Sequence, residues 1–331
     1  MTDDVGRVVV QERVLGRPGE SQLLIRVDAS GICGSDLHAL KAFGAGMVLG
    51  HEFTGVVTEV GAAAHGFALG DRVCALPAHS CGQCASCLAG DPIRCPQAAY
   101  LGTPAADGAF AEYIIIDACA TVLIPPHVTR EQAALVEPMA IGLKVFECGR
   151  PGPDDILFIM GAGPIGLAVL LWARAGGVGR IVVSDPVDSR RELALRLGAT
   201  HAVDPTAQDL PGYFETHFGA APQVVIECAG KPGTFDQAAM VVGYEGKIVV
   251  AGMHMEVEQF SRLAPFVKNV TASFCCWYTK AHYAHTVRMI AEGRIDPVAM
   301  VTHRIGLDDL SAALTALQTP NDYGKILVLA D

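Results

Sequence analysis

Near the start of this 331-residue chain stand a thiol, two carboxylates and two imidazoles, in Gly31-Ile32-Cys33-Gly34-Ser35-Asp36-Leu37-His38 and Gly50-His51-Glu52-Phe53-Thr54-Gly55. Cys33, His51 and Glu52 offer sulfur, nitrogen and oxygen, the mixed donor set that zinc accepts. A zinc ion that does chemistry takes three protein ligands and leaves one position open. Glu52 is either the third ligand or a group that withdraws when substrate arrives. Glu137, in Leu135-Val136-Glu137-Pro138, is the fourth candidate. Each residue alone has an ordinary explanation: a small core thiol, a satisfied buried histidine, a surface carboxylate. The combination is what points to a metal. Ser35 and His38 add a hydroxyl and a second imidazole beside the thiol.

A second donor set is different in kind. Cys81, Cys84, Cys87 and Cys95 follow the spacing C-x2-C-x2-C-x7-C, with Gly82, Gly90 and Pro92 letting the chain turn tightly. Four thiolates close a tetrahedral zinc site and leave no open position, so the expected role is structural. Eleven cysteines without an export signal at Met1-Thr2-Asp3-Asp4 fit a reducing, cytoplasmic setting, where clustered thiols bind metal more often than they pair.

Further along, Gly161-Ala162-Gly163-Pro164-Ile165-Gly166 follows an apolar strand pattern, Ile156 to Met160, and opens a helical one. In that context the glycines let the backbone approach a pyrophosphate at a helix N-terminus. Asp185 ends the next strand pattern, 19 residues beyond Gly166, where a carboxylate binds a ribose 2′-hydroxyl and repels a 2′-phosphate. That favours NAD over NADP. Arg190 and Arg191 lie close by, and an arginine here can accept a 2′-phosphate.

The elements that position these groups follow from pattern. Residues 5–30 alternate apolar and polar, as in Val8-Val9-Val10 and Leu23 to Val27, and predict short antiparallel strands. Further strands are predicted over 54–61, 70–74, 111–116 and 121–124, so residues 1–137 are expected to form an all-β, barrel-like domain. From Pro138 to 275, strand and helix patterns alternate and predict a doubly wound parallel sheet. Residues 276–331 carry two helical patterns and a last strand, Lys325 to Leu329, expected to return to the first domain. The uncharged run Ile156 to Ala173 is long enough to span a membrane, but its glycines and proline favour a strand followed by a helix. A net charge of -11 excludes nucleic acid and anionic membrane as expected partners.

Taken together, the two ligand segments, the cysteine lobe, Glu137-Pro138 and the fingerprint resemble the zinc-dependent medium-chain dehydrogenases, in their polyol and threonine dehydrogenase branch. The resemblance covers nearly the whole chain. It implies a GroES-like β-barrel catalytic domain with a Rossmann domain. It implies two zinc ions per chain: one structural, one catalytic on Cys33, His51 and Glu52, with Glu137 as ligand or holder of its water. Asp36 is then the residue that orients His51, and Ser35 with His38 a proton relay. Lys325 matches a position that can reach the pyrophosphate, although a solvated surface lysine fits the sequence equally.

The implied reaction is hydride transfer between a secondary alcohol and NAD, interconverting alcohol and ketone. Polyol, L-threonine-type and aldehyde-oxidising relatives are the alternatives within enzymes. A non-catalytic NAD and zinc redox sensor or scaffold is the alternative outside them. Only twelve residues separate His38 from His51, fewer than relatives usually carry. Phe43 and Met47 lie in that link, and no acidic residue does, which predicts an apolar wall for a bulkier substrate. Residues 274–278 could line the same cleft. The resemblance also implies a homodimer or homotetramer.

Overall fold

The computed structural model describes residues 1–3, 7–319 and 321–330. The chain forms two compact units, one of Met1–Ala140 with Tyr278–Asp331 and one of Ile141–Trp277.

In the first unit, β1 (Gln22–Gly31) buries Leu23, Ile25, Val27 and Ala29 and exposes Arg26. That period of two is a strand with one face on a core. The helix α1 (Gly34–Ala42) follows at once, then β2 (Glu52–Val60) and β3 (Arg72–Ala75). The cysteine lobe holds β4 (Ala78–His79), the single turn α2 (Ala85–Leu88) and β5 (Ala99–Tyr100). Next come β6 (Tyr113–Asp117), β7 (Thr121–Leu123), α3 (Arg130–Ala134) and α4 (Val136–Gly149), the last passing from one unit into the other.

The second unit starts its sheet at β8 (Ile156–Met160), buried at all five positions. There follow α5 (Pro164–Ala175), β9 (Arg180–Ser184), α6 (Asp188–Arg196), β10 (His201–Val203) and α7 (Leu210–Phe218). The unit ends with β11 (Val224–Glu227), α8 (Thr234–Val241), β12 (Lys247–Val250), α9 (Leu263–Val267) and β13 (Thr271–Phe274). All six strands are parallel, in the order β10-β9-β8-β11-β12-β13. That is a doubly wound sheet whose direction reverses beside β8. No helix among the described residues is long and apolar enough to cross a membrane.

The return segment adds α10 (Lys280–Ala291), β14 (Val301–Ile305), α11 (Leu310–Ala316) and β15 (Lys325–Leu329). The large sheet of the first unit then runs β14-β15-β1-β2-β3-β7, with β6 also on β1. One face covers Leu23, Ile25, Phe53, Val57 and Val73.

Two expectations need correction. Residues 7–19 form no strand beyond a single bridge of Val8 to Thr2: Val8 packs on the core, but Val10 and Val14 are exposed. Residues 5 and 6 of that expected strand lie outside the described residues. The first unit is also not all-β, because α1 interrupts it directly after Cys33, with the Asp36 side chain accepting from the Cys33 N–H at 2.9 Å. Such a side-chain-to-backbone bond fixes a helix start.

Candidate active site

Strand register explains why residues far apart in sequence meet. Gly31 at the end of β1 is paired with Glu52 at the start of β2, and on its other side with Leu327 of β15. Cys33 lies two residues past that point, His51 one residue before Glu52, and Lys325 two residues before Leu327. All four therefore gather at one end of three adjacent strands. Donor atoms of Cys33, His51 and Glu52 lie within 4.8 Å of one another.

Asp36 organises this end. Its Oδ2 accepts from the Cys33 N–H at 2.9 Å and its Oδ1 from the Gly50 N–H at 3.3 Å. The same Oδ1 stands 3.4 Å from His51 Nδ1. One buried carboxylate thus holds both ligand-bearing segments and takes up the inner nitrogen of the imidazole. Nε2 is left for a metal, with Ser35 Oγ 3.3 Å away. A carboxylate behind the ring of a ligating histidine is the usual way to fix its tautomer. Burial pulls the His51 pKa down, but Asp36 outweighs it and, with Cys33, holds the ring well above its ordinary value. A metal would have to displace that proton, so its affinity for this site rises with pH.

Glu52 is 1% exposed, and its Oε1 has no hydrogen-bond partner among the described residues. A buried, unsatisfied carboxylate oxygen beside a thiol and an imidazole fits a cation. Its Oε2 pairs with the ammonium of Lys325, which also donates to the Ile32 carbonyl at 2.8 Å. Glycine at 31 makes the room: a Cβ there would collide with Glu52 Oε2 and stand 2.9 Å from Lys325 Cε. Lys325 is wholly buried, which corrects the solvated surface lysine that the sequence allows, and its ammonium faces Glu52.

Glu137 is outside the three-donor set but adjoins it electrostatically. Burial, reinforced by Glu52, pushes its carboxyl up to about 7. Tyr278 donates to Glu137 Oε1 at 2.6 Å. His38 lies in α1, half-buried, one turn beyond Ser35. Met47 does not line a pocket: it is 3% exposed and packs with Ile32, Leu49, Phe110 and Ile326. This corrects the expected apolar wall, of which only Phe43, at 44% exposure, remains available.

The cysteine lobe meets its own test. A tetrahedral zinc with four sulfur ligands sets sulfur–sulfur separations of about 3.8 Å. Sγ of Cys81 lies 4.0 Å from that of Cys87 and 3.5 Å from that of Cys95, and Cys84 lies 3.5 Å from Cys87. Amide N–H groups of Cys84 and Gln97 point at Cys81 and Cys95 sulfurs at 3.3 Å, which favours thiolates. No open side remains for a reacting group.

The dinucleotide loop lies in the second unit, where β8 meets α5 at the reversal of the sheet. Gly166 has to be glycine, since a Cβ would stand 1.9 Å from the Gly161 carbonyl oxygen. Asp185 is 4% exposed; its Oδ2 accepts from the Ala162 N–H at 3.0 Å and its Oδ1 from the Val187 N–H at 2.9 Å. A carboxylate has further lone pairs for ribose hydroxyls. Arg191 donates to the Asp185 carbonyl at 2.7 Å and pairs with Asp188, so its guanidinium is engaged. Arg190 stands 3.9 Å from Asp185 Oδ2.

With this geometry in view, comparison with known proteins is informative. Residues 19–126 match the alcohol dehydrogenase GroES-like domain, and residues 164–292 match the zinc-binding dehydrogenase domain. The chain belongs to the zinc-type medium-chain dehydrogenase family, in its polyol and threonine branch. It is 33% identical to sorbitol dehydrogenase of Bacillus subtilis, over 93% of this chain and 90% of that one. Among solved structures it superposes with TM-score 0.89 on an alcohol dehydrogenase (rspB) from E. coli complexed with NADH, at 28% identity, covering 98% of this chain and 96% of that one. A zinc-binding dehydrogenase from Sinorhizobium meliloti 1021 bound to NADP gives the same TM-score of 0.89, at 30% identity and 98% and 97% coverage. The family's dehydrogenases oxidise alcohols with a nicotinamide dinucleotide and zinc.

Sequence reasoning named two residues of this end of the barrel without finding their partners. Tyr278 carries no local signal, because its partner Glu137 is 141 positions away. The role of Lys325 beside Glu52 follows from strand register alone.

Proposed function

We propose that this chain is an NAD-dependent secondary-alcohol dehydrogenase that holds two zinc ions, one on Cys33, His51 and Glu52 and one on the four cysteines of the lobe. The observation that carries the reading is the three-donor set with the Ser35 hydroxyl against the ligand nitrogen of His51. A zinc ion held there supplies Lewis acidity, which brings the ionisation of an alcohol hydroxyl near neutral pH. Ser35 takes the hydroxyl proton as it gives up its own, and His38, one turn along α1, passes that released proton to water. Asp36 keeps His51 in place through this transfer. Glu137, whose pKa lies near neutrality, and Tyr278 hold a hydrogen-bonded pair beside Glu52. The net change is hydride transfer from the alcohol carbon to the nicotinamide.

The preference for NAD rests on Asp185, a buried carboxylate, and on Arg191 being tied to Asp185 and Asp188. The deciding experiment follows reduced-cofactor absorbance with NAD and NADP over a panel of secondary alcohols, polyols and amino alcohols. NAD should give the higher kcat/KM, and Asp185→Ala should narrow the gap by about tenfold or more. Higher kcat/KM with NADP, or no oxidation of any panel member, would sink the reading. The likeness to sorbitol dehydrogenase supports polyols as the first class to try.

A second copy of the chain is the proposed partner. Among the described residues the outermost strand β13 has no neighbour on one side, and Phe274, Leu263 and Phe266 nearby are 75%, 70% and 80% exposed. Exposed apolar strand edges are normally covered. Sedimentation equilibrium should return a dimer or tetramer; a monomer at micromolar concentration excludes it.

A further inference from the structure

The second unit contains thiols that neither metal site uses. Cys148, in the last turn of α4, and Cys275, the residue after β13, have Sγ atoms 3.7 Å apart across 127 positions of sequence. Cys275 is 9% exposed and Cys148 is half-buried. Lys144, one turn before Cys148 on α4, acts electrostatically on the Cys275 thiol. No disulfide joins them.

Their place in the chain gives the pair a use. The second unit is one continuous stretch, Ile141–Trp277, inserted in the sequence of the first. Cys148 lies seven residues after its first residue and Cys275 two before its last. A bond between them would close almost the whole inserted unit into one covalent loop. Closing a long loop removes much of the freedom of the unfolded chain.

We propose that Cys148 and Cys275 form a redox modification site, a dithiol that a low-molecular-weight disulfide oxidises reversibly to staple the two ends of the inserted unit. Cys148, the more accessible thiol, attacks one sulfur of oxidised glutathione as its thiolate. The sulfur–sulfur bond of the oxidant breaks, a mixed disulfide forms on Cys148, and one glutathione leaves. Cys275 gives its proton to that departing thiolate or to water and attacks the Cys148 sulfur, releasing the second glutathione. The two protein thiols lose two hydrogens and two electrons, and the oxidant gains both. Burial pushes the Cys275 thiol up to about 12, which lowers its thiolate fraction, and the 3.7 Å contact with Cys148 offsets that by proximity in the second step.

The test treats the full-length protein, purified with zinc to occupy the other cysteines, with oxidised glutathione. Non-reducing peptide mapping should find one cross-link, between the peptides carrying Cys148 and Cys275. The melting temperature should rise by several degrees and fall back with dithiothreitol. Cys148→Ser and Cys275→Ala should each abolish the cross-link and the shift, while Cys276→Ser leaves both. Glutathione persisting on Cys148, a cross-link through Cys276, or no reaction at either thiol overturns the proposal.

Discussion

Cys33→Ser should lower turnover by at least about 10³-fold while the protein stays folded and keeps the metal of the cysteine lobe. The effect is large because a bound metal supplies several kcal/mol of charge stabilisation to the reacting oxygen, and each 1.4 kcal/mol is about tenfold in rate. Serine replaces a soft, ionisable donor with a neutral hydroxyl of similar shape. His51 and Glu52 then remain as two donors, too few for a site that needs three. Folding should change little, since Cys33 is only half-buried and the bond from its N–H to Asp36 comes from the backbone. Metal analysis should fall from two zinc ions per chain to one, and, compared metal-free, the melting temperature should lie within about 2 °C of the parent, the shift expected for a change below 0.5 kcal/mol in a chain of this size. Near-normal turnover would show that the three-donor set is not the reacting site. Loss of both ions would show that the two sites are not independent.

The sequence carried the chemistry of the site better than its geometry. Cys33, His51 and Glu52 were legible because few other roles call for a thiol, an imidazole and a carboxylate in glycine-flanked segments. The cysteine lobe was legible because its ligands lie within fifteen residues, so spacing alone encodes the tetrahedron. The parallel sheet showed through its period, since buried strands such as Ile156–Met160 are apolar throughout. What failed was whatever depends on a distant partner. Val8 to Leu15 has strand-like composition, but its ladder stops at one bridge, Val8 with Thr2, and strand formation needs a neighbour paired over several residues. Met47 looked like a pocket residue because its burial partners, Phe110 and Ile326, lie far along the chain. Helix α1 escaped notice because Gly34 and Ser35 weaken helix propensity, and the Asp36 bond that starts it involves the metal-binding segment itself. Tyr278 and Lys325 belong to the same class: each is placed by a residue more than 140 positions away.

Lys325 leads to the largest stability effect. Its side chain and that of Glu52 are each 1% exposed, and the ammonium is the one cation paired with that carboxylate among the described ion pairs. Lys325→Met keeps the length and packing of the stem but removes the charge. Glu52 is then a buried carboxylate beside Glu137 that has lost its ion-pair partner, with the His51 ring as the remaining positive group nearby. Breaking a buried pair from one side costs about 3–5 kcal/mol. In protein stripped of metal by a chelator, the variant should lose about that much stability in denaturant titrations at neutral pH. Two further comparisons isolate the cause. Adding Glu52→Gln should restore most of the lost stability, because the orphaned charge is gone. Zinc should shrink the deficit of the single variant, because a divalent cation on Cys33, His51 and Glu52 supplies the positive charge that Lys325 gave. A metal-free Lys325→Met protein within about 0.5 kcal/mol of the parent, the size of an ordinary surface change, would mean that the pair adds nothing to stability and that Lys325 serves packing alone.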